Sequence, residues 1–124
     1  MVRVLAVDDD PVILRLLQLN LELEGHEVLT AADGRSGLEA IRREHPEVVL
    51  LDVMMPNLDG FQVCNEIRAD PDPQVAATPI IFLSAKAQEL DITTGMAAGA
   101  DAYVTKPFDP LELVELVDRL GRGG

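Results

Sequence analysis

Short apolar runs alternate along this chain with segments in which apolar residues recur every three or four positions. The runs at 2–7, 28–30, 48–51, 80–83 and 102–105 are strand-length and rich in Val, Leu and Ile. Helical periods lie between them. Asp10-Pro11 is an N-cap followed by proline at the first helical position, and Ile13, Leu16, Leu17, Leu19 and Leu23 then form one broad apolar face that Gly25 ends. Asp33-Gly34 opens a second helix with Leu38 and Ile41 inward and Pro46 beyond its end. Asp59 with Gln62 three residues later is a capping box for a helix through Val63, Cys64 and Ile67. A weaker helix over 88–98 relies on Leu90, Ile92 and Met96. Asp109, Pro110, Leu111 and Glu112 start the last helix, whose face is Leu113, Val114, Val117 and Leu120. The stretch 70–79, D-P-D-P-Q-V-A-A-T-P, reads as an exposed connection.

Five strands alternating with five helices predict an α/β domain: a parallel sheet, right-handed crossovers and helices on both faces. In a parallel sheet all strands end at one edge. The residues that terminate the apolar runs, Asp8 and Asp9, Asp52, Ser84 and Lys106, therefore converge although nearly 100 positions separate the first from the last. Asp10 is accounted for as a helix cap, but Asp8 and Asp9 have no such duty.

Composition narrows the picture. At 124 residues the chain holds one domain, expected over 1–120, with 121–124 as a flexible tail or the start of a linker. The formal charge of -12, from 22 acidic against 10 basic residues, disfavours direct nucleic-acid binding and favours a cation. No apolar window reaches the length of a membrane span, and no signal peptide is visible. Cys64 is the sole cysteine, which excludes an internal disulfide, suits a reducing cytoplasm and reads most simply as a small buried hydrophobe.

The strand tips suggest their own chemistry. Three carboxylates in one place need a compensating charge, and ligands that are all oxygen select a hard cation such as Mg²⁺. Lys106, one of two lysines in the chain, adds a point charge. A lysine, a hydroxyl and Mg²⁺ around one free carboxylate make a cage for a phosphoryl group, with Asp52 as the nucleophile. Simpler duties compete at each position. Asp52 could cap a turn, Ser84 could cap the following helix, Lys106-Pro107 could end a strand, and Tyr103 could be an ordinary half-buried aromatic.

The motifs V-D-D-D-P, L-L-D-V-M-M-P-x-x-D-G, L-S-A and Y-V-T-K-P-F, in this order and spacing, resemble the receiver domain of two-component response regulators over essentially the whole chain. The resemblance implies a flavodoxin-like, doubly wound sheet of five strands in order 2-1-3-4-5 with five helices, and a cis bond before Pro107. It implies that Asp52 accepts phosphate from a sensor histidine kinase or phosphotransfer protein. Asp9 and Asp52 would ligate Mg²⁺ with the Met54 backbone carbonyl, and Asp8 would act mainly through metal-bound water. Ser84 would bind the phosphoryl group, Lys106 its oxygen, and Tyr103 would be the switch aromatic, with Met54, Ala85 and Lys86 flanking the site. The surface of the fourth helix, fifth strand and fifth helix would then control a downstream protein or output domain, with room for a homodimer. Such a receiver is cytoplasmic, and it assists its own phosphorylation and dephosphorylation without being a turnover enzyme.

Two rival functions have distinct signatures. A phosphatase of the haloacid dehalogenase type also forms an aspartyl phosphate, but its nucleophile lies in a D-x-D motif after the first strand, which Asp8, Asp9, Asp10 and Pro11 match poorly. A receiver-like docking module that works without phosphate would bind its partner unchanged after Asp52→Asn.

Overall fold

The computed structural model describes residues 1–86 and 88–121. Five parallel strands form one sheet: β1 (Arg3–Val7), β2 (Glu27–Ala31), β3 (Val48–Leu51), β4 (Ile80–Ser84) and β5 (Ala102–Thr105), in the order β2-β1-β3-β4-β5. This is the order the resemblance implied. Six helices accompany them among the described residues: α1 (Pro11–Leu23), α2 (Gly34–Glu44), α3 (Gly60–Arg68), α4 (Pro73–Ala76), α5 (Glu89–Ala97) and α6 (Pro110–Gly121).

The central strands β1, β3 and β4 are almost wholly apolar and buried because both faces of the sheet are covered there, whereas the edge strand β2 carries the exposed Glu27 and Thr30; the side chains divide by the two-residue period. Leu5, Val7, Val49, Leu51, Ile80 and Phe82 point to one side, where they meet Leu38 and Ile41 of α2 and Val63, Cys64 and Ile67 of α3. Val4, Ala6, Val48, Leu50, Ile81 and Leu83 point to the other, onto Leu17 and Leu21 of α1 and Leu113 and Val117 of α6. Cys64 is wholly buried, as a small hydrophobe would be.

Four expectations change. The connection at 70–79 contains α4, a single helical turn: Asp72 accepts from the Gln74 N–H, Pro73 occupies the first turn, and Val75 is buried. Asp72-Pro73 repeats the cap and proline that start α1, so a sixth helix joins the expected five. The broad face of α1 splits in two. Leu17 and Leu21 are buried, whereas Val12, Leu16, Leu19 and Leu23 lie on a second, exposed stripe. In α5 the expected anchors Leu90 and Met96 are exposed, and the buried residue is Gly95. Gly121, expected in the tail, closes α6, and the other tail residues, 122–124, lie outside those described.

Two glycines allow contacts that fix the site. A Cβ on Gly60, at the start of α3, would collide with the Asp52 carbonyl oxygen, so α3 can begin directly beneath the end of β3 only with glycine there. A Cβ on Gly95 would lie 2.9 Å from Tyr103 Cδ2 and 3.0 Å from Phe82 Cδ2, so α5 rests its backbone on these two rings.

Candidate functional site

Backbone register does most of the assembly. Val7 pairs with Leu51, Leu51 with Phe82, and Ser84 with Thr105. Asp8 and Asp52 thus sit one residue beyond a shared rung, and Lys106 one residue beyond another. The ladder continues past the strands: Asp52 N–H donates to the Val7 carbonyl at 2.9 Å, Asp8 N–H to Ala31 at 3.1 Å, and Lys106 N–H to Ser84 at 2.8 Å. Residues 98 positions apart in sequence, Asp8 and Lys106, meet because their strands end together.

The contacts are close. Lys106 Nζ donates to Asp8 Oδ2 at 2.8 Å and lies 3.7 Å from Asp52 Oδ1. Asp8 and Asp52 are only 2% and 5% exposed, whereas Asp9 faces solvent. Each of the three acids offers an oxygen within 4.8 Å of the others. Asp8 Oδ1 also accepts from the Asp10 N–H at 2.9 Å, and Asp52 Oδ1 takes a longer contact of 3.4 Å from the Met54 N–H. Asp52 is therefore the least satisfied of the buried acids. Burial first, and then the Asp8 carboxylate, raise its pKa from an ordinary 3.8 to about 6, against the lowering influence of the Lys106 ammonium and the Met54 N–H.

Three carboxylates against one ammonium leave the cluster short of two positive charges. The donors are all oxygen, one acid is open to water, and a cleft of about 400 Å³ bordered by Asp9, Met54, Phe61 and Lys86 adjoins them. That donor set fits a small divalent cation with retained water ligands.

Beside the acids, Ser84 and Tyr103 are joined through the chain at Lys86. Ser84 is fully buried, and its Oγ accepts from the Lys86 N–H at 3.1 Å. Tyr103 Oη donates to the Lys86 carbonyl at 2.7 Å, and its ring lies 5.9 Å from that of Phe82. The simple half-buried role for Tyr103 thus coexists with a specific hydrogen bond. The Lys106–Pro107 bond is cis. The turn-capping duty of Asp52 amounts to the long Met54 N–H contact alone, and the helix that follows is capped by Asp59.

The structure gathers Asp8, Asp9, Asp52 and Lys106 at one edge, with the Met54 backbone against Asp52; Ser84 reaches them through its carbonyl on the Lys106 N–H, and Tyr103 is tied to Ser84 through Lys86. Gly60 was readable only as part of a turn, because its necessity comes from the carbonyl of Asp52 above it. Phe61 carried no sequence signal, since it borders the cleft through the position of α3 rather than through any motif.

Comparison with known proteins agrees along the length of the chain. A family model described as response regulator receiver domain matches residues 4–118. The transcriptional regulatory protein CseB of Streptomyces coelicolor is 46% identical over 125 residues, covering 98% of this chain and 51% of that protein. The alkaline phosphatase synthesis transcriptional regulatory protein PhoP of Bacillus subtilis is 45% identical over 111 residues, 90% of this chain and 45% of its own length. The chain thus spans about half the length of the curated relatives it matches. Among solved structures, the Francisella response regulator 1452 receiver domain superposes with a TM-score of 0.91 at 33% identity, covering 99% of this chain and 98% of that one. The chemotaxis protein CheY4 of Vibrio cholerae does so at 0.88 and 35%, covering 97% and 98%.

The raised pKa of Asp52 has a thermodynamic consequence in metal-free protein. The unfolded chain releases this proton near pH 4 and the folded protein near 6, so folding stability falls as pH rises through that window and the full penalty is present above it. Asp52→Asn removes the penalty. We expect it to raise unfolding free energy in urea by about 1–3 kcal/mol at pH 7.5, with the gain vanishing below about pH 4.

Proposed function

The chain belongs to the response regulator receiver domain family, and on that premise we propose that it carries a two-component signal by accepting a phosphoryl group on Asp52. The donor is the phosphohistidine of a sensor kinase or phosphotransfer protein. The observation that best supports this reading is the Lys106 ammonium standing between the buried Asp8 and Asp52 carboxylates at 2.8 and 3.7 Å. The Asp52 oxygen attacks phosphorus as the bond from phosphorus to the donor imidazole nitrogen breaks. Lys106 meets the charge on a phosphoryl oxygen, and Gly60 with the β-ladder holds Asp52 in place. Asp8, Asp9, Asp52 and the Met54 carbonyl would hold Mg²⁺, which when bound supplies the missing positive charge to the phosphoryl oxygens.

Ser84 then donates to the phosphoryl group. Its hydroxyl also anchors the Lys86 N–H, and the Lys86 carbonyl anchors Tyr103, so a pull on Ser84 reaches the aromatic ring directly. One charged hydrogen bond supplies roughly 1.5–3 kcal/mol, whereas moving an equilibrium from mostly off to mostly on takes about 5.5. Lys106, Ser84 and the repacking of Tyr103 against Gly95 and Phe82 therefore act together on the face of α5, β5 and α6. That face controls a downstream protein or an output domain, and the relatives that are transcriptional regulators are about twice as long as this chain. The domain runs through Gly121, the last residue of α6, and works in the cytoplasm. Among the described residues no helix is long and apolar enough to cross a membrane.

The exposed stripe on α1 is the docking face for the phosphodonor. Val12, Leu16 and Leu19 border an almost wholly apolar concavity of about 410 Å³, and the N-cap of α1, Asp10, is two residues from Asp8. A partner helix laid on this stripe is delivered beside the acids.

Intact mass after incubation with acetyl phosphate tests the phosphoacceptor directly. One added phosphate that requires both Mg²⁺ and Asp52 is the expected result, and an adduct surviving in Asp52→Asn would refute it. Docking is separable from this chemistry. Leu16→Glu with Leu19→Glu should slow transfer from a histidine kinase at least about tenfold while leaving labelling by acetyl phosphate unchanged. Equal loss with both donors would exclude α1 as the docking face.

A further inference from the structure

The face of α5, β5 and α6 has a pronounced charge bias. Residues 89–121 contain seven acids, Glu89, Asp91, Asp101, Asp109, Glu112, Glu115 and Asp118, and two bases, Lys106 and Arg119. Lys106 is turned into the site on Asp8, so Arg119 is the one base this stretch can offer a partner. Some of the acids are spoken for: Asp101 pairs with Arg68, Asp91 lies 3.9 Å from Lys86, and Asp109 accepts from the Leu111 N–H. Glu89, Glu112 and Glu115 are exposed, and among the described residues none of them has an ion-pair partner.

A groove of about 270 Å³ runs between β5 and α6, formed by the apolar Val104, Leu113 and Leu116 and by Glu112, Glu115 and Arg119. Leu111, 71% exposed in the first turn of α6, stands beside Glu112. An apolar cleft under unpaired carboxylates matches an apolar side chain flanked by cations. Nucleic acid and acidic segments are repelled from it. A second copy fits less well, because a two-fold interface joins two faces that each carry an excess of acid, with Arg119 the one base on either side to offset it.

Building on the proposal that this is the switched surface, we propose that the groove receives a lysine- and arginine-rich segment of another protein, with an apolar residue seated over Val104 and Leu116, and that it does not serve self-pairing.

The test uses two fluorescein-labelled amphipathic helical peptides, one of leucine and lysine and one of leucine and glutamate, titrated against the protein with and without beryllofluoride and Mg²⁺. The lysine peptide should bind at least about tenfold more tightly than the glutamate peptide. Glu112→Lys with Glu115→Lys should lower that affinity about tenfold, whereas the same charge change at Glu22 and Glu24, on the end of α1, should not. In sedimentation the beryllofluoride-bound protein should remain monomeric. Equal binding of both peptides, equal loss in the two double variants, or a dimer dispersed by Leu111→Glu would overturn the inference. A charge preference that beryllofluoride leaves unchanged would uphold the groove's preference and overturn the switch. Charge-blind binding that beryllofluoride strengthens would do the reverse.

Discussion

Two carboxylates, Asp8 and Asp52, are buried at the carboxyl edge of the sheet with a single ammonium to share, and most of the local structure answers to that constraint. Taking an ion out of water costs several kcal/mol, while two unit charges about 4 Å apart attract by about 4 kcal/mol at an effective dielectric of about 20. One lysine can offset one carboxylate. Lys106 is closer to Asp8, which also accepts a backbone hydrogen bond, so the deficit falls on Asp52. The fold thereby keeps one carboxylate poorly compensated, positioned beside an open cleft and receptive to positive charge.

This arrangement is possible because backbone rather than side-chain packing sets the positions. Each acid and Lys106 hangs one residue beyond a paired rung, and the ladder bonds that continue past the strands hold the tips together. Close backbone approaches at Gly60 and Gly95 add the rest: the first fixes the floor beneath Asp52, and the second lets α5 lie on the Tyr103 and Phe82 rings. The chemical edge and the α5 face are thus linked through Ser84, Lys86 and Tyr103 over a few hydrogen bonds.

Much of this is legible in the amino-acid sequence. Uninterrupted apolar runs announced a sheet covered on both sides, and the residues just past four of the five runs, Asp8, Asp52, Ser84 and Lys106, are the ones that reach the site. The short α4 was hidden because four residues give no period, although Asp72-Pro73 carries the same cap and proline as Asp10-Pro11. The exposed stripe of α1 was hidden for another reason. Leucines occupy nearly all of that helix, so periodicity alone cannot separate the buried Leu17 and Leu21 from the exposed Leu16 and Leu19. In α5 the same ambiguity reversed the reading: Gly95, the weakest helix former in it, is the residue that makes the contact, while Leu90 points to water. A close approach needs the absence of a side chain, and absence has no hydrophobic signature.

Asp52 is buried with too little positive charge around it. Site-resolved ¹³C NMR of the Asp52 carboxyl carbon, titrated with and without Mg²⁺, measures this directly. In metal-free protein the midpoint should lie at about 6, and saturating Mg²⁺ should move it well down. A midpoint near 4 in both conditions would contradict the account, since Asp52 would then be an ordinary solvated carboxylate with no charge deficit for a cation to fill.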